Sequence, residues 1–189
     1  MELDLAIRKR RSVRAFKNAA PSWKDVLEAI DAANQAPFAG NHNHLKFICV
    51  EDGEKIKELA KFTDQTWVGT SKFIVVLVSD DAHLENQYGD RGRVYSRQQA
   101  GAAIQNFLLK IVDLKLATCW IGSYDDSKVR DLFKVPKHMQ IEAVLPIGYE
   151  IHGKEIHVKK KDLENVLYWE EWDKTKRPTL FKEPPIQHK

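Results

Sequence analysis

Apolar positions along the chain alternate between two spacings, and the changes of spacing mark out the elements. Residues 2–9 carry Leu3, Ala6 and Ile7 at helical intervals and predict a short helix with those side chains inward. Pro21-Ser22 opens a second helix in which Val26, Ala29, Ile30 and Ala33 recur on one face. Ser22 with Asp25 resembles a capping box, and Pro37 stops the helix. Leu45–Val50 predicts a strand, after which Asp52-Gly53 turns into a short helix carrying Ile56, Leu59 and Ala60. Phe73–Val78 is an unbroken apolar run rich in valine, the pattern of a strand buried on both faces. Asp80–Arg93, polar and holding Gly89 and Gly92, predicts a mobile surface loop.

The longest helical pattern runs from Tyr95 to Leu116. Ala103, Phe107 and Lys110 form one stripe; Ala100, Ile104, Leu108, Ile111 and Leu114 form another. An arc that wide predicts burial on more than one side, and Gly101-Ala102-Ala103 permits close helix approach. Ala117–Gly122 predicts a third strand, Asp125 or Asp126 the cap of a helix with Val129, Leu132 and Phe133, and Ile141–Tyr149 a fourth strand. A short helix is predicted from Asp162 to about Trp172, followed by a polar tail. Residues 1–172 are thus expected to form one domain and residues 173–189 a C-terminal tail.

Composition narrows the class. The 189 residues are 43% hydrophobic and 30% charged, as in globular domains. A net charge of +3 is too mild to argue for nucleic acid or a membrane surface. No apolar run is long enough to span a bilayer, and Met1-Glu2-Leu3-Asp4 has no signal-peptide pattern. Cys49 and Cys119 lie far apart, lack metal spacing, and are expected to be free core thiols of a cytoplasmic protein. His42 and His44 share one side of an extended chain, but no third ligand lies nearby and no metal site is expected. Cys119 has no basic neighbour in sequence to lower its pKa, which argues against a redox thiol.

The stretch Arg10-Arg11-Ser12-Val13-Arg14-Ala15-Phe16 holds the most concentrated chemistry. In extended chain Arg10, Ser12 and Arg14 point to one side and Arg11 and Val13 to the other. One edge then offers guanidinium forks suited to phosphate, while Val13 and Phe16 hold the segment on a core. A solvated basic loop is the competing reading of the same residues.

Four motifs in order resemble the nitroreductase family of FMN-dependent oxidoreductases. They are Arg10–Phe16, the loop Ala36-Pro37-Phe38-Ala39-Gly40-Asn41, the turn Leu116-Ala117-Thr118-Cys119-Trp120-Ile121-Gly122-Ser123-Tyr124-Asp125, and Leu145-Pro146-Ile147-Gly148-Tyr149 followed by basic residues and Leu163-Glu164. The resemblance spans about Leu3 to Trp172. It implies an α+β fold, a mixed central sheet sandwiched by helices, and an intertwined homodimer with FMN at the interface. It assigns Arg10, Arg11 and Ser12 to the FMN phosphate and ribityl chain, and Lys159 and Lys160 to the phosphate from the far end of the chain. Arg14 would sit at the N1 and C2-oxygen edge of the isoalloxazine, where a fixed cation favours negative charge. The backbone of Trp120-Ile121-Gly122 would lie along one ring face, with an amide near Gly122 aimed at N5. Pro37, Phe38, Ala39 and Asn41 would reach the flavin from the second subunit.

The chain departs from the family pattern in that loop. Phe38 stands where a small residue is usual, and His44-Leu45 where Pro-Trp is common. Phe38 is expected to face the active site and to restrict bulky acceptors. No side chain is assigned a catalytic acid or base. No Gly-rich dinucleotide fingerprint is present, so NADH or NADPH would bind transiently over the flavin. The implied reaction passes hydride from NAD(P)H through flavin N5 to a small oxidised acceptor such as a nitroaromatic or quinone. The alternatives are flavin destruction, reductive dehalogenation, or an FMN-binding protein without activity.

Overall fold

The computed structural model describes residues 1–151 and 160–177. The chain divides into two compact units, Met1–His152 and Gly153–Lys189.

The first unit is built on a four-stranded sheet of order β1-β2-β4-β3, with β1 at Leu45–Val50, β2 at Phe73–Asp80, β3 at Ala117–Thr118 and β4 at Met139–Gly148. Its helices are α1 (Leu3–Lys9), α2 (Trp23–Asn34), α3 (Gly53–Phe62), α4 (Ala82–Tyr88), α5 (Asp90–Asp113) and α6 (Asp126–Phe133). The apolar run of β2 explains the layers. Phe73, Val75 and Leu77 join the core beneath α2 and α5, with Ala143, Leu145 and Ile147 of β4. Ile74, Val76 and Val78 point the other way, into a core with Ile56 and Leu59 of α3 and Val129 of α6. A strand between two helical layers must be apolar at every position, because neither face meets water. The sheet is therefore sandwiched by helices, as expected. Every pairing among the described residues is antiparallel, which corrects the expected mixed sheet.

Other expectations change for physical reasons. In α1 only Ala6 is buried, while Leu3 and Ile7 are 64% and 51% exposed. Ala6 alone of that face packs inward, and Leu3 and Ile7 stay on the surface of this chain. Most of Asp80–Arg93 is helical instead of a loop: α4 and the start of α5 meet at Gly89, whose φ of 59° few other residues adopt. The corner is held where Gly92 lies on the backbone of Leu84. A Cβ at Gly92 would come 2.3 Å from the Leu84 carbonyl oxygen. Polarity concealed this corner because its buried residues, Asp81, Leu84 and Gly92, leave no apolar stripe. The long helix accordingly begins at Asp90 and ends at Asp113. The third strand keeps only two residues, followed by an isolated bridge from Ile121 to Val144. Cys49 is exposed and Cys119 buried, so only one thiol belongs to the core. In the second unit the helix predicted from Asp162 reduces to a single 3-10 turn, Leu163–Asn165, with Tyr168 and Trp172 packed ring to ring at 4.8 Å.

The arginine segment is not a free loop. The Val13 amide donates to the Thr118 carbonyl at 3.0 Å, Lys17 to Tyr149 at 2.8 Å and Ile151 to Ala15 at 3.2 Å. Val13 and Phe16 are buried against Ala117. The segment thus extends the β3 edge of the sheet, as the alternation of Val13 with its polar neighbours predicts.

Candidate active site

The turn after β3 is fixed on both sides. Ile121 and Val144 exchange two backbone hydrogen bonds of 3.1 Å, which turns the Ile121 side chain into the core beneath the sheet. Downstream, Asp125 caps α6. Its carboxylate accepts from the Ser127 hydroxyl at 2.6 Å and the Lys128 amide at 3.2 Å. The Ser127 bond first, then the Lys128 ammonium 3.0 Å away and the Lys128 amide, bring its pKa down to about 2. Between the two anchors Gly122 is exposed, and a Cβ there would meet nothing within 4 Å. Trp120 is 43% exposed and stands over α5, where a Cβ at Gly101 would lie 3.8 Å from its Cη2.

These residues form one wall of a cavity of about 520 Å3. Thr118, Cys119, Trp120 and Gly122 come from β3 and its turn, Gln105 and Leu108 from α5, and Arg10, Arg11 and Ser12 from the N-terminal segment. The volume lies in the range of small-molecule and cofactor sites. The three arginines are not equivalent. Arg11 is clamped bidentately by Glu150, Nη2 to Oε2 at 2.7 Å and Nε to Oε1 at 3.2 Å, so its fork is engaged by a protein carboxylate. Arg10 is half-buried in the cavity wall and has no carboxylate partner among the described residues. Arg14 is exposed and near enough to Cys119 to favour its thiolate. That proximity corrects the expectation that Cys119 lacks a basic neighbour. Burial nevertheless dominates and pushes the Cys119 thiol up, with Arg14 and a hydrogen bond to Ser12 opposing it. The buried Thr118 hydroxyl has no hydrogen-bond partner among the described residues.

Several predicted residues lie elsewhere. Pro37, Phe38, Ala39 and Asn41 do not line this cavity. Phe38, expected to face the active site, is half-buried, packed in part against the α2–α5 core with its ring edge-on to His44 at 6.1 Å between centroids. Pro37 and Asn41 are exposed, and Gly40 and Asn41 have left-handed backbones with φ of 59° and 54°. His42 and His44 diverge: His42 stacks on His83 at 3.8 Å, and His44 is buried against Ser96. Lys159 lies outside the described residues, and Lys160 is exposed in the second unit. Sequence reasoning did not find Gln105, Leu108 or the buried polar group around His44. Leu108 reads as an ordinary core stripe, and nothing in local spacing distinguishes the others.

A helix-flanked antiparallel sheet with a basic cavity at one edge defines an α+β fold. The model of the nitroreductase family matches residues 7–67 and 60–149, and the chain belongs to that family of oxidoreductases. An iodotyrosine deiodinase of Thermotoga neapolitana is 26% identical over 165 residues, which cover 79% of this chain and 88% of that one. A relative in Archaeoglobus fulgidus, named as an NADH dehydrogenase/NAD(P)H nitroreductase, is 27% identical over 153 residues, covering 78% and 85%. The crystal structure of a nitroreductase family protein from Clostridium novyi NT superposes with a TM-score of 0.75 at 26% identity, over 92% of this chain and 96% of that one. Among the described residues no helix is long and apolar enough to cross a membrane.

Proposed function

We propose that the chain binds FMN in the cavity beside Arg10 and acts as an NAD(P)H-dependent oxidoreductase on small oxidised acceptors such as nitroaromatics or quinones. The observation that carries this reading is the convergence of Arg10, Ser12, Trp120 and Gly122, from motifs far apart in sequence, on one cavity. The donor set suits the cofactor. A guanidinium and a hydroxyl match a phosphate and a polyol chain, an open glycine admits a flat ring, and the lone Thr118 hydroxyl gives the wall an unused polar group.

Bound FMN would supply the centre that accepts and returns hydride. Arg10 and Ser12 would hold its phosphate end. Arg11, closed on Glu150, would hold the segment to the end of β4 instead of reaching the ligand. Arg14 would offer positive charge toward the pyrimidine edge of the ring. The Gly122 amide, set by the Ile121–Val144 bridge and the Asp125 cap, would orient the reactive atom.

The loop bearing Pro37, Ala39 and Asn41 would complete the cavity of a second copy. Leu3, Leu5 and Ile7 of α1 with Trp23 and Leu27 of α2 are exposed apolar side chains that such a copy would cover. The test is a visible spectrum of protein with added FMN, followed by steady-state oxidation of NADH and NADPH. Flavin bound at about one per chain together with acceptor-dependent NAD(P)H oxidation is the expected result. Failure to bind FMN would refute the proposal. The Thermotoga relative motivates one comparison: reoxidation of the reduced protein by an iodinated phenol faster than by quinones would assign the chain to reductive dehalogenation instead.

A further inference from the structure

His44 is 2% exposed and sits at the end of the Pro37–Asn43 loop. It belongs to a connected group of polar side chains inside the first unit. Ser96 Oγ lies 2.6 Å from Asp81 Oδ1 and 2.9 Å from His44 Nε2. Arg97 pairs with both Asp81 and Glu142, and Ser79 Oγ contacts both carboxylates. Proton counting fixes the direction of the chain. Ser96 has one hydroxyl proton, and the short contact to a carboxylate takes it. The Ser96 oxygen is then an acceptor, so His44 Nε2 carries the proton and donates. Nδ1 has no partner.

The loop has other anchors: the Asn41 amide donates to the Phe38 carbonyl at 3.0 Å, the His42 amide to the Ala39 carbonyl at 3.2 Å, and the Asp80 amide to the His44 carbonyl at 3.0 Å. Asn43 Nδ2 donates to Asn34 Oδ1 at 3.1 Å, His42 stacks on exposed His83, and the Phe38 ring meets His44 edge-on. Between them Gly40 and Asn41 hold left-handed backbones, which cost energy for asparagine unless neighbours fix them. His44 therefore contacts the loop at two points, through its own backbone and through Phe38, and ties both to α5.

We propose that His44 is the positioning residue of the Pro37–Asn43 loop, and that its hydrogen bond to Ser96 sets the selectivity of the enzyme among planar oxidised acceptors. The inference rests on the FMN reading above. In that reading the loop's exposed residues border the space over the flavin of a second copy, while its inward residues only fix their placement. Loss of the bond lets the tip move without altering the phosphate-binding residues.

The experiment compares wild type with His44→Phe, His44→Gln and Ser96→Ala, each reconstituted with FMN. The readouts are the reduction rate with NAD(P)H and kcat/KM for a large and a small quinone. His44→Phe keeps the volume but removes the donor, and His44→Gln retains a neutral N–H. The large-to-small ratio is expected to change by about fivefold in His44→Phe and Ser96→Ala, the size of one hydrogen bond. It should stay within about twofold of wild type in His44→Gln, which keeps a hydrogen-bond donor. A ratio unchanged in both His44→Phe and Ser96→Ala, with only thermal stability lowered, overturns the inference. If His44→Phe does not fold, Ser96→Ala alone decides. Wild-type protein that binds no FMN overturns the functional reading and this inference together, whereas active wild type with an unchanged ratio overturns this inference alone.

Discussion

Neighbouring arginines in this chain have opposite tasks, and partnership distinguishes them. Arg10, Arg11 and Ser12 all line the cavity, but the Arg11 guanidinium is held by Glu150. Arg10→Ala combined with Ser12→Ala should weaken FMN binding by well over tenfold, because one bond to a charged group is worth about 1.5–3 kcal/mol. Titration of the apoprotein by flavin fluorescence checks this, and an unchanged dissociation constant would return the segment to a solvated basic edge. Arg11→Ala should act mainly on stability. The pair is only partly buried, at 37% and 26% side-chain exposure, so solvent screening limits the loss to about 1 kcal/mol. A small fall in Tm with FMN affinity nearly intact is the expected signature. Period-two alternation placed Arg10 and Ser12 on one edge and Val13 in the core. It carried no sign of Glu150, which lies 139 residues away along the chain from Arg11.

Elements whose burial follows a period were legible in the sequence, and elements held by single contacts were not. The bounds of β1 follow from Leu45–Val50 alone, and the double-sided burial of β2 follows from its unbroken apolar run. The α4–α5 corner escaped because it rests on Leu84, Gly92 and a polar group beneath them, none of which leaves a stripe. Gly92→Ala should therefore destabilise the fold by about 1–3 kcal/mol, since a Cβ 2.3 Å from the Leu84 carbonyl oxygen forces the two helices apart. Chemical denaturation at neutral pH measures it, and a neutral effect would mean that the corner is compliant. The same corner gives a pH dependence. Burial is the largest influence on His44 and holds its pKa below 6.5, against the opposing pull of the His42 backbone and Asp81. Ser96 of α5 touches it, Asp81 lies behind Ser96 and pairs with Arg97, and the His42 imidazole two residues away acts on it with the same sign as burial. A depressed histidine binds fewer protons folded than unfolded, so its contribution to stability is complete above pH 6.5 and declines as pH falls through the folded pKa. His44→Gln should flatten that part of the stability curve relative to wild type. Equal slopes for both proteins between neutral and mildly acidic pH would show that His44 titrates normally.

At the scale of the molecule, the motif order brought the arginine segment and the Trp120 turn together, but one chain does not bring the Pro37–Asn41 loop to them. If the loop serves a second copy, each site has two owners, and this can be tested without measuring an interface. Arg10→Ala/Ser12→Ala removes the phosphate end of a site. Ala39→Glu places a carboxylate in the loop, against a cofactor that is already anionic. Each variant alone should bind FMN poorly. In a mixed dimer, one site combines the defective segment of the first chain with the defective loop of the second. The other combines the intact segment of the second with the intact loop of the first. Co-expression with random pairing makes about half the dimers mixed, so about a quarter of all sites should regain FMN. If segment and loop act within one chain, every site in the mixture carries one defect and no flavin returns. The comparison is the flavin-to-protein absorbance ratio of the co-expressed sample against each variant purified alone. Sedimentation run in parallel must show dimers: a restored quarter in a dimeric sample supports the shared site, and a colourless dimeric sample refutes it.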